Sequence, residues 1–458
     1  MNYLKTHREH LGRVLKLSIP AILAQISSII MQYIDAAMAG SLGAEATAAI
    51  GLVSSTTWLF GGMCMAAAAG FSVQVAQLIG AGEEEEARRV LRQALLCTFL
   101  FGLVLSAVAV GISGALPVWL GGEGEVARNS SRYFLIFACV LPAIQLRHLA
   151  GNMLQCSGDM RTPSRLNILM CFLDVFFNSL LIFPTRRILV LGFALPLPGA
   201  GLGVAGAALG TAISEMITAF LMLYAVCFRS GSLRLEAHGS WRPEKKCLKT
   251  SFRLALPMAL EHTILCGAQI AGTRIVAPLG TVAVAANSLG VTAESLCYMP
   301  GYGIGAAATT LVGQSVGAGE EKLAKDYARL SVLLGMAIMT CTGGLMFLGA
   351  PWMFSLLTPD PAIRVLGTRV LRIEAFAEPM FAASIVAAGA LRGAGDTLVP
   401  SIMNLASMWG VRITLSLILA PQLGLIGVWL AMCVELCVRG GLFLIRLLRG
   451  KWLTGRLV

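Results

Sequence analysis

Apolar runs and short polar turns alternate along the chain from end to end. Runs long enough to cross a hydrocarbon core of about 30 Å, which takes roughly 20 residues, can be read at 17–40, 47–76, 92–118, 130–155, 163–184, 200–228, 254–277, 282–312, 328–350, 367–390, 398–420 and 424–448. The pattern predicts an all-α polytopic membrane protein with twelve transmembrane helices. Only the polar stretch 229–250 is long enough to be a linker. The expected organisation is therefore an N-terminal segment 1–16, a first lobe 17–228, the linker, a second lobe 251–448 and a C-terminal segment 449–458.

The two halves repeat each other at a constant offset of 237 residues. Leu17-Ser-Ile-Pro20 returns as Leu254-Ala-Leu-Pro257, Gln32 as Gln269, Leu42-Gly43 as Leu279-Gly280, and Gly80-Ala-Gly-Glu-Glu84 as Gly317-Ala-Gly-Glu-Glu321. Further on, Gly158-Asp159 meets Gly395-Asp396, Asn167 meets Asn404 and Pro184 meets Pro421. Six spans per copy mean that both copies cross the membrane in the same sense, so the repeats are parallel and related by an axis along the membrane normal, a recurring plan of membrane transporters.

Composition agrees with this placement. With 57% hydrophobic and 13% charged residues, the chain has too little polar surface to cover a water-soluble globule of 458 residues. Its mean hydropathy is +0.77. The termini and even-numbered loops hold about 24 of the 35 Lys and Arg residues, the odd-numbered loops about six. The positive-inside rule then puts both termini in the cytoplasm, in a cell (cytoplasmic) membrane. The net charge of +11 reads as topology and attraction to anionic head groups, not as nucleic-acid binding. The basic start and Ala37-Met-Ala39 imitate a signal peptide, but the apolar run is too long for one and cleavage would destroy an element that the second copy retains.

Several chemistries are not supported. The twelve cysteines lie mostly in apolar spans and form no paired CxxC sites, so they read as soft core filler. Gly201-Leu-Gly203-Val-Ala-Gly206 matches a dinucleotide fingerprint but opens a membrane span instead of following a strand, which favours helix packing through small residues. No P-loop, HExxH or GxSxG occurs, so the expectation is a secondary carrier without a cofactor, not an enzyme.

The remaining signal is polar side chains at membrane depth, where a charge costs about 2.5–3.5 kcal/mol at mid-helix. Gln25, Ser28, Gln32 and Asp35 fall on one stripe of the first span, and Asp174 and Asn178 on one face of the fifth. A carboxylate among amides there can exchange a proton or hold Na+, because burial makes its charge costly and nearby oxygens supply ligands. The second copy has a different set: Glu261 and His262, Glu294, and Glu374 with Glu378 four residues on. None of these acids has an acid at the matching position of the other copy, which suits a task performed by one lobe. Pro20, Pro142, Pro257, Pro300 and Pro379 supply candidate bends, with Glu378-Pro379 and Gly301-Tyr-Gly303-Ile-Gly305 the most suggestive.

Taken together, Pro20, Asp35 and Leu42-Gly43, the paired GAGEE turns, the stretch YMPGYGIGAAATTLVGQSVGAGE at 298–320 and ALRGAGDTLVP at 390–400 resemble the multidrug and toxic compound extrusion (MATE) family over nearly the whole chain. The resemblance implies a V-shaped pair of lobes that exports lipophilic organic cations in exchange for H+ or Na+, with the first-span aspartate coupling. That makes Asp35, Asp174 and Asn178 the coupling set and the candidate Na+ ligands. Glu261, Glu374, Glu378 and Glu294 are secondary candidates. Met31, Gln32, Gln269 and Tyr298 are the candidate lining of the substrate cavity, and Pro20 and Pro379 the candidate gating kinks. Family members carry Asn and then Asp in span five, whereas this chain has Asp174 and then Asn178. The expected partners are cationic small molecules and the bilayer, with no nucleic acid and no obligate protein partner. The rival expectation is a lipid-linked sugar flippase of the same superfamily, which would line its cavity with cations; Arg147, Arg274, Arg372, Arg412 and Arg439 lie within or beside spans. A major-facilitator carrier would share the two six-helix repeats but not the acidic turn Gly80-Ala-Gly-Glu-Glu-Glu-Glu86, and a channel would need no ion-coupled cycle.

Overall fold

A computed structural model describes residues 2–190, 193–236, 239–453 and 457. Helices α1 (Asn2–Ser41), α2 (Ala44–Gly80), α3 (Glu84–Ile112), α4 (Gly124–Cys156), α5 (Arg161–Leu181) and α6 (Gly203–Arg229) form one lobe. The other is built from α7 (Lys245–Leu279), α8 (Thr281–Gly317), α9 (Glu321–Leu357), α10 in two pieces (Pro361–Ala375 and Glu378–Gly393), α11 (Leu398–Leu423) and α12 (Leu425–Arg449). Among the described residues ten of these helices are long and apolar enough to cross a membrane. The other two spans are the glycine-rich α8 and the divided α10.

Local chemistry explains several boundaries. Gly43 and Gly280, matched by the repeat, take φ 105° and 101° between the first two helices of each lobe. Gly82 and Gly319 both take φ 77° in the GAGEE turns, a region closed to most other residues. Asp360 caps α10, accepting from the Ala362 and Ile363 amides at 2.8 and 3.4 Å, with Pro361 as the first helical residue.

Several departures from the sequence-based expectation stand out. The segment 1–16 is helical from Asn2 and continuous with α1, and α7 begins at Lys245 inside the stretch read as linker. An antiparallel hairpin, β1 (Pro184–Val190) and β2 (Phe193–Ala200), separates α5 from α6. The expected kink at Glu378-Pro379 is a full break in α10, because Pro cannot supply an amide hydrogen to the preceding turn and sits comfortably only in a first turn. The glycines at 301, 303 and 305, by contrast, do not break α8. They let neighbours approach: a Cβ at Gly303 would fall 2.7 Å from the Ile22 backbone nitrogen, and one at Gly389 would fall 2.4 Å from the Gly305 carbonyl. Pro20 likewise lies within an unbroken α1, and its carbonyl accepts the Ser164 hydroxyl of α5.

The core is apolar within each lobe, as in the cluster of Phe71, Leu91, Leu149 and Met153 and that of Phe354, Leu371, Met346 and Trp429. Helix α1 also places Val14 in a cluster of the second lobe, so the first helix bridges the two bodies. Small residues set the helix spacing, as the reading of Gly201–Gly206 anticipated: a Cβ at Gly206 would lie 2.4 Å from the Leu181 carbonyl. Gly206→Val is therefore expected to force α6 off α5 and cost about 1–3 kcal/mol. A thermal melt of the purified protein checks this, and an unchanged midpoint would contradict the packing.

Candidate functional site

The first-lobe site is assembled from α1 and α5. Asn178 donates its amide to both carboxylates, reaching Asp35 Oδ1 at 3.0 Å and Asp174 Oδ2 at 3.0 Å. Asp174 is fully buried and Asn178 nearly so, while Asp35 is half-buried. Asp174 Oδ1 and Asn178 Oδ1 have no hydrogen-bond partner among the described residues. On α6, Gly210 makes the space, since a Cβ there would come within 2.1 Å of Asn178 Oδ1. Two carboxylates held on one amide at membrane depth repel each other strongly, so the site favours a shared proton or a bound cation. Its free acceptors suit a hard cation that takes oxygen ligands. Asn178 reaches both Asp35 and Asp174, so the Asp-then-Asn order still brings the three side chains together.

Other members of the first-span stripe play smaller parts. The Ser28 hydroxyl donates to the Ala24 carbonyl one turn back at 3.1 Å, and Gln32 is exposed together with its counterpart Gln269. Met31 is half-buried on α1. Nearby, the Tyr33 hydroxyl donates to the Thr292 carbonyl of α8, which ties the two lobes together at this level.

The second-lobe acids divide into two groups. Glu261 is saturated: Arg392 Nη2 reaches its two oxygens at 3.1 and 2.9 Å, Ser401 Oγ at 2.6 Å and Asn404 Nδ2 at 2.7 Å. It ties α7 to the end of α10 and to α11, which makes it a structural clasp, and it stands apart from the other candidates. Glu294, Glu374 and Glu378 do converge, each offering an oxygen within 4.8 Å of the others. All three are buried, and none of the four carboxylate oxygens of Glu374 and Glu378 has a partner among the described residues. The break in α10 builds this arrangement by ending one helix after Glu374 and starting the next at Glu378, where the positive helix end favours an acid. Gly343 of α9 leaves room for it, its would-be Cβ lying 3.1 Å from that of Glu378. Tyr298 packs its ring on Phe381 at 5.4 Å and Tyr302 at 6.0 Å beside this cluster.

The arginines noted in the sequence are mostly committed. Arg147 pairs with Glu215, Arg439 with Glu435 at 2.8 Å, and Arg372 donates to the Phe347 carbonyl at 3.1 Å beneath that ring. Arg412 lies in a π-helical turn, Met408–Ile413, against the Met432 sulfur at 2.6 Å. Sequence reasoning singled out neither Glu215 nor Glu435 as their partners. The i, i+4 spacing of Glu435 and Arg439 was a usable signal, whereas Arg147 and Glu215 lie 68 residues apart and gave none.

Two six-helix lobes with carboxylates buried among their helices define the class as a multi-pass membrane protein. The family pattern described as MatE matches residues 20–180 and 257–418, once in each lobe, and the chain belongs to that family. It is 27% identical to a probable multidrug resistance protein NorM of Thermotoga maritima over 96% of this chain and 92% of that protein. With the multidrug resistance protein MdtK of Pectobacterium atrosepticum it shares 26% identity over 92% and 91% of the two chains. Among solved structures, a MOP superfamily transporter from Pyrococcus furiosus superposes with a TM-score of 0.87 at 19% identity, covering 97% of this chain and 96% of that one. A multidrug resistance MATE family transporter in an outward-facing conformation also gives 0.87, at 20% identity over 96% and 97%.

The clasp around Glu261 generates a stability prediction. Arg392→Gln strands a buried carboxylate and is expected to cost about 3–5 kcal/mol, whereas adding Glu261→Gln to it should recover most of that loss. Chemical or thermal unfolding of the two single variants and the double variant measures the coupling.

Proposed function

We propose that this transporter is a secondary active antiporter that exports lipophilic organic cations and drugs in exchange for H+ or Na+ by alternating access, with coupling in the first lobe. The observation that carries this reading is the amide of Asn178 holding Asp35 and Asp174 together, with unpartnered acceptors beside them. The printed names of the relatives, multidrug resistance proteins from several bacteria, support the drug-export part. The orientation is the one the positive-inside rule favours, with the GAGEE turns and both termini on the cytoplasmic side.

In the cycle, deprotonated carboxylates attract the cation while apolar walls take its body, and the lobes then rock. A coupling ion entering from outside neutralises Asp35 and Asp174, the attraction falls, and cargo leaves. Ser164 of α5 holds α1 at the Pro20 carbonyl itself and Asn178 of α5 holds it at Asp35, so loading the Asp35–Asn178 contact and straining α1 at Pro20 act between the same two helices. One elementary charge moving down 100 mV supplies roughly 2.3 kcal/mol, enough for a gradient of about 40-fold. The Glu294, Glu374 and Glu378 cluster supports a second reading, in which coupling or part of it resides in the second lobe. The flippase reading is weakened by the commitment of Arg147, Arg372 and Arg439 to partners inside the protein.

Proteoliposomes carrying a fluorescent lipophilic cation test the proposal under an imposed H+ gradient and then an imposed Na+ gradient. Wild-type flux driven by either gradient and lost in Asp35→Asn is the expected result. Normal flux in that variant would move coupling to the second lobe, and no wild-type flux under either gradient would remove the antiport reading.

A further inference from the structure

The repeated GAGEE turns have a job beyond topology. At the end of the bundle where they lie, α2 and α8 meet across the lobe interface through paired positions 237 residues apart. A Cβ at Gly80 would fall 1.9 Å from the Gln314 carbonyl oxygen, and one at Gly317 would fall 1.8 Å from that of Gln77. Only glycine permits this contact. The same two glutamines reach over it reciprocally: Gln77 Nε2 donates to the Gly393 carbonyl at 3.4 Å, and Gln314 Nε2 to the Cys156 carbonyl at 2.9 Å. Positions 77 and 314, 80 and 317, and 156 and 393 all stand in the repeat register, so the interface is closed here by two copies of one lock.

Leu457 breaks that symmetry. Its backbone amide donates to Gln77 Oε1 at 2.9 Å, and its side chain fills the space over Gly395, where a Cβ would lie 2.7 Å from Leu457 Cδ1. At the matching glycine of the first copy, Gly158, the neighbour is Gln314 itself, with Nε2 at 3.6 Å. Earlier in the chain, Trp452 is fully buried in the second lobe and donates to the Leu447 carbonyl at 3.0 Å, and Leu453 packs on the same cluster. Trp452 is thus fixed to one lobe, while Leu457 grips a helix of the opposite lobe.

We propose that Leu457 is a latch on this gate: with Trp452 seated in the second lobe, it keeps α2 against that lobe and so sets how often the transporter opens at this end. The inference rests on the alternating-access reading, but its test needs neither drug nor gradient, so the two can fail separately. Cys156 is a native reporter, because its thiol is buried beside the Ser72 hydroxyl of its own lobe and the Thr310 hydroxyl of the other. The protein in nanodiscs is treated with a water-soluble maleimide, and alkylation of the Cys156 peptide is followed by mass spectrometry.

Gly317→Ala, which blocks close approach of α8, is expected to speed Cys156 labelling most. Leu457→Pro, which removes the amide hydrogen, and deletion of residues 454–458 should each speed it about three- to tenfold, the range of one net hydrogen bond and its packing. Leu457→Met keeps both and should label like wild type. Faster labelling in Gly317→Ala with no change in the two latch variants would overturn the latch. No change in Gly317→Ala would show that this helix pair is not the gate, and the latch would fall with it.

Discussion

An ionised group buried in hydrocarbon must find a partner, and this single requirement sorts the acids of the chain. Glu261, Glu215 and Glu435 each meet an arginine, at Arg392, Arg147 and Arg439. Those pairs can be static, because nothing is gained by opening them and a stranded charge is costly. Asp35 and Asp174 share only an amide, and Glu374 and Glu378 have no partner for any carboxylate oxygen among the described residues. A protein retains such unbalanced carboxylates at membrane depth where something mobile can balance them. The line between scaffold and candidate machinery is therefore drawn by charge compensation, not by depth or burial alone.

A second constraint, the thickness of side chains between helices, shapes everything around those sites. Without a hydrophobic driving force inside a bilayer, helices associate through close contact and small residues. Gly206 brings α6 onto α5, Gly210 clears the volume that Asn178 needs, and Gly343 does the same for Glu378. Glycine thus has two separable uses in this chain. In the spans it sets distances, and in the turns at Gly82 and Gly319 it supplies a backbone conformation.

The duplication was readable because gapless offsets survive wherever packing and turn chemistry are the same in both copies, as at Gly43 and Gly280. Asp35, Asp174 and Asn178 could be picked out since polar residues in apolar spans are expensive and helical spacing puts them on one face. Their convergence across α1 and α5 follows only from the family resemblance, because spacing along one helix says nothing about the rotation of its neighbour. For the same reason the sequence gives no sign that Arg392, at the end of α10, pairs with Glu261 and sets it apart from Glu294, Glu374 and Glu378. Helix breaks were half legible: Pro379 marked a discontinuity, but Pro20 and the glycines of α8 did not, since a long span buried among neighbours can absorb a missing hydrogen bond.

Symmetry and its loss together suggest how the molecule divides its labour. The interface lock is duplicated, which suits the proposed alternating access between two similar bodies. The candidate coupling acids, Asp35, Asp174, Glu294, Glu374 and Glu378, have no acid at the matching position of the other copy, so under the proposed cycle the lobes are equivalent as levers and different as binding bodies. Leu457 adds its bond to one half of a symmetric lock, whose own bond on that side is the longer, 3.4 against 2.9 Å. A symmetric gate alone would have no handle through which one segment could shift its equilibrium. An interaction made only in the closed arrangement provides one, because an equilibrium moves only by what distinguishes its two states.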